Sequence, residues 1–326
     1  MTSRDIVMAN LERRDPPRPG MCFGGGRLND FSVFWPAAEG FFSPKRWVEG
    51  DKEFYTDEWG NIWVRMVGGC EKGEIHIPAL ANWDALDSMK WPEGASPRLS
   101  QMMRDYFASN PNQFKLLGFG GFWVFEAARY LRKMDAYFLD MALEPDKLHQ
   151  LHARIGEVCA GRIRSAAQGG ADGIFIFEDL GTQKGLLFSP DMFRDYFKPL
   201  YTELMGLAHG LGLKVIMHSC GYNWEILDDL MDCGVDCFQF DQPALYDMEA
   251  LAAKLRARKV ALFAPVDIQK VMPTGNRAFI EAETERMIRL FKGGLMLKIY
   301  GDLPGIGVRP EWDQWAYEKM LAVLGL

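Results

Sequence analysis

The sequence predicts a (β/α)8 barrel, because short apolar runs alternate with helical segments along the second half of the chain. The runs are residues 173–177, 213–217, 235–240, 260–264 and 295–300. Nearly every position in them is apolar, which is typical of parallel strands covered on both faces. No glycine-rich dinucleotide fingerprint follows the first strand, so an open doubly wound sheet is disfavoured.

Helices are predicted between these strands. Their ranges are residues 189–209, 223–233, 248–258, 276–291 and 310–324. Ser189 and Pro190 form a helix start, since serine caps the first turn and proline suits the first helical position. A longer helix is predicted over residues 145–167, and its His149 and His152 are expected to be solvated.

The first half is less regular. The N-terminus predicts an amphipathic helix with Ile6, Val7 and Leu11 on its apolar side, and residues 115–119 predict a strand. Residues 20–95 are rich in Gly, Pro and Trp, and their segments 62–67 and 75–78 can pair as an antiparallel hairpin. We expect one domain over residues 1–326, in which residues 20–95 form an insertion or lid over the barrel mouth.

Composition excludes several functions. The 326 residues include 44 acidic and 37 basic side chains, a net charge of −7, which is unsuited to general nucleic-acid binding. No secretory signal is visible, and the longest uncharged stretches are about half the roughly 20 residues that a membrane span needs. The six cysteines lack disulfide spacing, so free thiols and a cytoplasmic location are expected.

Polar residues follow the predicted strands. They are Glu178, Asp179, His218, Cys220, Asp241, Gln242, Asp267 and Asp302. In a barrel these positions form the active-site rim, at the carboxyl ends of the strands. Glu178 and Asp179 are neighbours, so only one of them can point into the mouth, where it can orient a metal ligand or act as general acid or base.

His218 and Cys220 form a His-x-Cys pair at a strand end, and such a pair can supply a nitrogen and a thiolate to zinc. Asp241 and Asp302 are carboxylates that can complete the site. The alternative is a core histidine beside a buried thiol. Tyr222 can donate to a substrate oxygen, and Trp59 and Phe119 belong to a set of aromatic residues that line a pocket or pack in the core.

Three segments carry a resemblance to a known family. They are HSCGYNWEILDDLMDCGVDCFQFDQP from His218, FEDLGTQKGLLFSPDMFRDYFKP from Phe177, and YTDEWGNIW from Tyr55. These segments resemble the uroporphyrinogen decarboxylase superfamily, which implies a (β/α)8 barrel. The His-x-Cys-Gly segment is similar to that of cobalamin-dependent methyltransferases, which carry a catalytic zinc.

The resemblance implies a set of site residues. It makes His218 and Cys220 zinc ligands, and it places Asp302 where those methyltransferases have a cysteine within Gly-Cys-Gly. Asp241 resembles, by position, an acidic ligand of cobalamin-independent methionine synthases. The implied reaction is methyl transfer with cobalamin that is carried by a corrinoid protein. The methyl group moves either from a donor, such as a methoxy-aromatic compound, to cobalamin, or from methylcobalamin to a thiol or tetrahydrofolate.

Two other functions remain open on the sequence. A metal-independent decarboxylase or lyase acting on a smaller substrate would use Asp57 and Arg27, which resemble, loosely, the family's pyrrole-binding aspartate and a carboxylate-binding arginine. Only one of the family's arginines is present, and its Gly-His-Gly segment is replaced by Gly301-Asp302-Leu303. A non-catalytic binding protein that keeps the barrel is the third possibility.

Overall fold

The computed structural model describes residues 1–69 and 72–326. The strands are β1 (Gly20–Cys22), β2 (Phe31–Phe34), β3 (Arg46–Glu49), β4 (Lys52–Thr56), β5 (Ile62–Met66), β6 (Glu74–Ile77), β7 (Phe114–Gly120), β8 (Gly173–Phe177), β9 (Lys214–His218), β10 (Cys237–Gln239), β11 (Ala261–Ala264) and β12 (Leu295–Lys298). The helices are α1 (Ser3–Leu11), α2 (Pro97–Ala108), α3 (Val124–Arg132), α4 (Met134–Leu143), α5 (Pro145–Gln168), α6 (Pro190–Tyr196), α7 (Lys198–Gly210), α8 (Leu227–Cys233), α9 (Met248–Ala257), α10 (Arg277–Leu290) and α11 (Pro310–Leu324).

Eight parallel strands form a nearly closed barrel, which confirms the predicted fold. Their order is β1-β12-β11-β10-β9-β8-β7-β2. The seam between β1 and β2 is held by a short antiparallel bridge between Cys22 and Asn29 and by the bond from the Asp30 amide to the Met21 carbonyl at 2.7 Å. The helices lie between the strands in sequence, as βα units require.

Side chains of the barrel strands alternate between two cores. Phe175 and Ile216 belong to the apolar cluster in the barrel interior, together with Val7 and Leu11 of α1. Ile174 and Ile176, one position away, belong to the larger cluster between strands and helices. This alternation follows from the two-residue period of a strand, and it decides which residues beyond each strand end face the mouth.

The second half follows the prediction closely, apart from one helix. The predicted helix over residues 189–209 is two helices, α6 and α7, which meet at Phe197. Pro199 lies in the first turn of α7, where it has no N–H for the helical hydrogen bond to the residue four positions earlier and its ring crowds that carbonyl, which explains the break. In the first half, β1 to β4 and α2 to α4 were not predicted.

Strands β3 to β6 form a second, antiparallel sheet. It pairs β5 with β6, which confirms the predicted hairpin. Trp63 of β5 packs edge-on against Tyr130 of α3, with ring centroids 4.7 Å apart. The second sheet therefore packs against α3, the helix that follows β7. Its role as a lid stays a proposal.

The structure corrects the expectation for His152 and confirms that for the cysteines. His152 is fully packed rather than solvated: its ring bonds to the Tyr137 hydroxyl at 3.0 Å and to the Tyr196 carbonyl at 3.3 Å. Five cysteines are free thiols, as expected, and Cys70 lies outside the described residues. Across the described ranges, no helix is both long and apolar enough to cross a membrane.

Burial of His152 predicts a loss of stability in acid. Burial lowers its pKa from 6.5 to about 3, so between these values the unfolded chain binds a proton that the folded chain does not. The free energy of unfolding should therefore fall as the pH drops below 6.5, by up to about 1.4 kcal/mol per pH unit for this group. Urea unfolding of the wild type and His152→Gln across this range measures the difference.

The control is His149→Gln, since His149 is exposed on the same helix. Its pH profile should run parallel to that of the wild type. A His152→Gln profile that also runs parallel would contradict the assignment.

Candidate functional site

Three electron-pair donors meet at the carboxyl ends of β8 and β9. His218 Nε2 lies 3.3 Å from Asp179 Oδ1 and 3.3 Å from Cys220 Sγ. These donor atoms all lie within 4.8 Å of one another, the arrangement of a small metal site. Phe177 and His218 are register partners, so Asp179 and Cys220, each two residues further on, point to the same side.

The loops after β8 and β9 are fixed against each other. The Cys220 amide donates to Asp179 Oδ1 at 3.0 Å, and Asn223 Nδ2 donates to the Ser219 hydroxyl at 2.9 Å. Gly221 has φ +84°, and a Cβ there would stand 2.3 Å from the Gly181 backbone. Only glycine allows this close approach, so the sequence Cys220-Gly221 holds the thiol beside Asp179.

The other ring nitrogen of His218 is held by a chain of hydrogen bonds, here called the Gln239 relay. His218 Nδ1 lies 2.6 Å from Gln239 Oε1, Gln239 Nε2 donates to Asp241 Oδ1 at 2.8 Å, and Lys298 Nζ donates to the same oxygen at 3.0 Å. The Asp241 carboxylate only accepts, so the Gln239 oxygen must face His218 and Nδ1 must carry the proton. A lone pair on Nε2 then points at Asp179 and Cys220.

The pKa values of the three donors depend on one another. Burial disfavours the charged His218 ring, but the hydrogen bonds to Asp179 and Cys220 outweigh burial and raise the pKa of His218. Burial also raises the pKa of Cys220, whereas the bond to His218 lowers that of Asp179 despite burial. Imidazole, thiolate and carboxylate also suit zinc, with an outer hydrogen bond on the histidine.

The carboxylate of this group differs from the two that the sequence selected. Among the described residues, the group contains Asp179 and neither Asp241 nor Asp302. Asp241 Oδ2 lies 3.9 Å from Nδ1, on the protonated side of the ring. Asp302 Oδ1 accepts from the Gly305 amide at 3.0 Å, in the turn after β12. In the structure, Asp179 is thus the carboxylate that lies with His218 and Cys220, and metal binding by Asp241 or Asp302 stays a prediction.

Glu178 points away from the mouth, so Asp179 is the one of the two neighbours that faces it. Strand alternation turns it outward, where one oxygen accepts from the Phe125 amide at 3.0 Å. The other oxygen has no hydrogen-bond partner among the residues described. Burial raises the pKa of Glu178 well above its usual range, so the group is held as a neutral acid in the wall between barrel and helices.

Asp57 and Arg27 are both engaged elsewhere. Asp57 accepts four hydrogen bonds within its own turn, from the amides of Trp59 and Asn61 and the side chains of Asn61 and Trp63, at 2.8 to 3.0 Å. Arg27 pairs with Asp313 of α11. Both therefore stabilise the fold around the barrel, and neither belongs to the group around His218.

The remaining predicted residues lie outside the group around His218. Trp59 and Phe119 are 3% and 4% exposed and pack on other aromatic rings, as core residues do. Tyr222 is half-buried and stacks on Tyr246, with ring centroids 5.2 Å apart. Gln242 is half-buried, and its Oε1 is enclosed without a hydrogen-bond partner in the described part of the chain.

Comparison with known proteins identifies the family. The family model described as uroporphyrinogen decarboxylase (URO-D) matches residues 79–314, more than two thirds of the chain. The chain belongs to the URO-D family. No curated protein matches the sequence.

One solved structure shows the same fold in a distant protein. A methyltransferase from Methanosarcina mazei is 14% identical with a TM-score of 0.57, and the match covers 98% of this chain and 83% of the other. A chitinase from Chromobacterium violaceum is 12% identical with a TM-score of 0.40, over 70% and 87% of the two chains. At this identity the likeness to the methyltransferase is one of fold.

Sequence reasoning missed two members of this URO-D protein's site, Gln239 and Lys298. Each lies two residues after a strand residue that faces the barrel interior, Cys237 or Met296, so its side chain points to the interior as well. A polar side chain within an apolar strand run is the signal that could have found them. Gln239 and Lys298 break the runs 235–240 and 295–300.

The buried neutral acid at Glu178 predicts a stability that falls as the pH rises. The folded chain keeps a proton that the unfolded chain loses near 4.5. Above that pH, the wild type should lose unfolding free energy relative to Glu178→Gln, by up to about 1.4 kcal/mol per pH unit until the folded carboxyl ionises. Thermal and urea unfolding of both proteins from pH 5 to 8 measure this.

Glu157→Gln is the matched control, because Glu157 is exposed on α5. A constant difference between wild type and Glu178→Gln at every pH would show that Glu178 is already ionised in the fold.

Proposed function

We propose that this URO-D family member is a zinc-dependent methyl-transfer enzyme that exchanges a methyl group with cobalamin on a corrinoid protein. The observation that carries the proposal is the convergence of Asp179 Oδ1, His218 Nε2 and Cys220 Sγ at the barrel mouth. Three mixed O, N and S ligands are typical of catalytic zinc sites, which leave one position for water or substrate.

The chain's own residues have distinct roles in this proposal. Asp179, His218 and Cys220 hold the ion, and the Gln239 relay keeps the His218 lone pair aimed at it. The Asp179 side chain is 43% exposed, whereas that of His218 is 9% exposed, so substrate approaches from the Asp179 side. When bound, zinc supplies Lewis-acid activation of a thiol or of a methyl-bearing oxygen.

The corrinoid partner, its cobalamin and the methyl donor are part of the proposal. Family membership and the mixed donor set support them. In this proposal the methyl group either comes from a methoxy-aromatic compound or passes to a thiol or tetrahydrofolate. A cytoplasmic location is proposed with them. The decarboxylase alternative loses support, since Asp57 is saturated by its own turn and Arg27 by Asp313.

Metal content tests the site directly. In protein purified without added zinc, elemental analysis should find about one zinc per chain in the wild type. His218→Ala, Cys220→Ala and Asp179→Asn should each lose most of it, because two remaining ligands bind zinc weakly. Asp302→Asn, the matched carboxylate control, should keep it.

Unchanged metal content in both His218→Ala and Cys220→Ala would end the zinc proposal. Loss in Asp302→Asn with retention in Asp179→Asn would instead restore the carboxylate chosen from the sequence.

The Gln239 relay predicts a second effect. Gln239→Leu removes the acceptor that fixes His218, so zinc affinity should fall about 10- to 100-fold without loss of the fold. Lys298→Met should cause a smaller decrease, because Lys298 acts through Asp241. Competition with a chromophoric chelator measures the affinity, and Gln242→Leu is the control. Equal affinities for Gln239→Leu and the wild type would refute the relay.

A further inference from the structure

A cleft lies outside the Asp179–His218–Cys220 group, between the second sheet and helices α3 and α4. Its volume is about 500 Å³, which suits a molecule of one or two rings. Trp63 and Tyr130 provide aromatic walls, and Lys72, Arg129 and Lys133 contribute positive charges. Its acidic lining residues are Glu74 and Asp135, so cations outnumber carboxylates. We call it the Lys72 cleft.

Lys72 occupies an unusual position in this cleft. Its ammonium nitrogen lies 4.4 Å from the ring centroid of Trp63, 4.3 Å from that of Tyr130 and 5.4 Å from that of Phe122. No ion pair within residues 1–69 and 72–326 includes it. Arg129, by contrast, is bound to the Glu126 carboxylate at 2.9 Å through Nε. Lys72 is thus a cation packed among aromatic rings, without an ion-pair partner in the described part of the chain, and its charge can pair with a ligand.

Burial around this ammonium has an energetic consequence. The residue as a whole is exposed, but burial of its end lowers the pKa of Lys72 to about 8, while Glu126 raises it. An anion that enters the cleft would meet a partly desolvated cation, and ion pairs are stronger where water is excluded. This geometry favours a ligand with a negative end.

The cleft and the proposed zinc site share one wall. Glu126 Oε1 accepts from the Asp179 amide at 3.3 Å. A Cβ on Gly121 would stand 3.4 Å from Glu126 Oε2 and 2.9 Å from Lys72 Nζ. The Glu126 carboxylate therefore approaches both Lys72 and the loop that carries Asp179, and it links the cleft to the loop of the metal-binding group.

We propose that the Lys72 cleft binds the methyl donor or acceptor through an organic anionic group, a carboxylate or a sulfonate. The anion pairs with Lys72, and the apolar body lies against Trp63 and Tyr130. This inference rests on the proposed methyl transfer and adds a charge requirement to its substrate. A ligand ammonium fits less well, because it would have to expel Lys72 from the rings and then face Arg129 and Lys133.

Calorimetric binding to the full, zinc-free chain tests this charge requirement. The probes are 4-methoxybenzoate, 4-methoxybenzenesulfonate, neutral anisole and tetramethylammonium, and the variants are Lys72→Met and Lys72→Arg. At least one anion should bind the wild type and Lys72→Arg, and Lys72→Met should weaken it about tenfold or more. Anisole should bind weakly and equally to all variants. The preferred anion identifies carboxylate or sulfonate.

Lys184→Met, on an exposed loop, is the control and should bind like the wild type. Zinc content, measured in the same variants, should not change, which separates failure of the cleft from failure of the zinc site. Absence of binding by either anion at millimolar concentration, or equal binding by wild type and Lys72→Met, overturns the proposal. Tighter tetramethylammonium binding by Lys72→Met would overturn it too, since the rings would then form a receptor for a ligand's cation.

Discussion

The hydrogen bond between His218 Nδ1 and Gln239 Oε1, 2.6 Å long, determines what the barrel mouth can bind. It places the ring proton on one side and leaves a lone pair on the other, toward Asp179 and Cys220. Without it the ring could turn or change tautomer, and the three donors would not converge. Asp241 and Lys298 extend this constraint to β12, so strands from across the second half of the barrel hold one imidazole.

The alternation of inward and outward side chains along each strand, here called strand parity, brings these side chains together at the mouth. In β8, β9 and β10 the inward positions are Phe175, Ile216 and Cys237, and every second residue beyond them stays inward. The parity leads to Asp179, His218 and Gln239 at the mouth and turns Glu178 into the wall. A one-residue change of register in β8 would exchange the positions of Glu178 and Asp179 between the wall and the mouth.

The sequence specified the fold better than the site. Continuous apolar runs located β8 to β12, and the His-x-Cys pair located two of the three donors of the metal group. The same apolar runs hid the parity, because strands covered on both faces show no alternation. The choice between Glu178 and Asp179 needed the register of β8 against β9, and the place of Asp302 in the turn at Gly305 needed the backbone after β12. His152 was misjudged because its polar neighbours on α5 concealed the packed face.

The central claim is that one thiolate, one imidazole and the Asp179 carboxylate form a single zinc site. X-ray absorption at the zinc edge of the zinc-loaded protein tests it most directly. The account predicts one sulfur neighbour per zinc, one imidazole, and oxygen neighbours that change in Asp179→Asn but not in Asp302→Asn. A zinc environment without sulfur, or with two sulfurs and unaffected by Asp179→Asn, would contradict it.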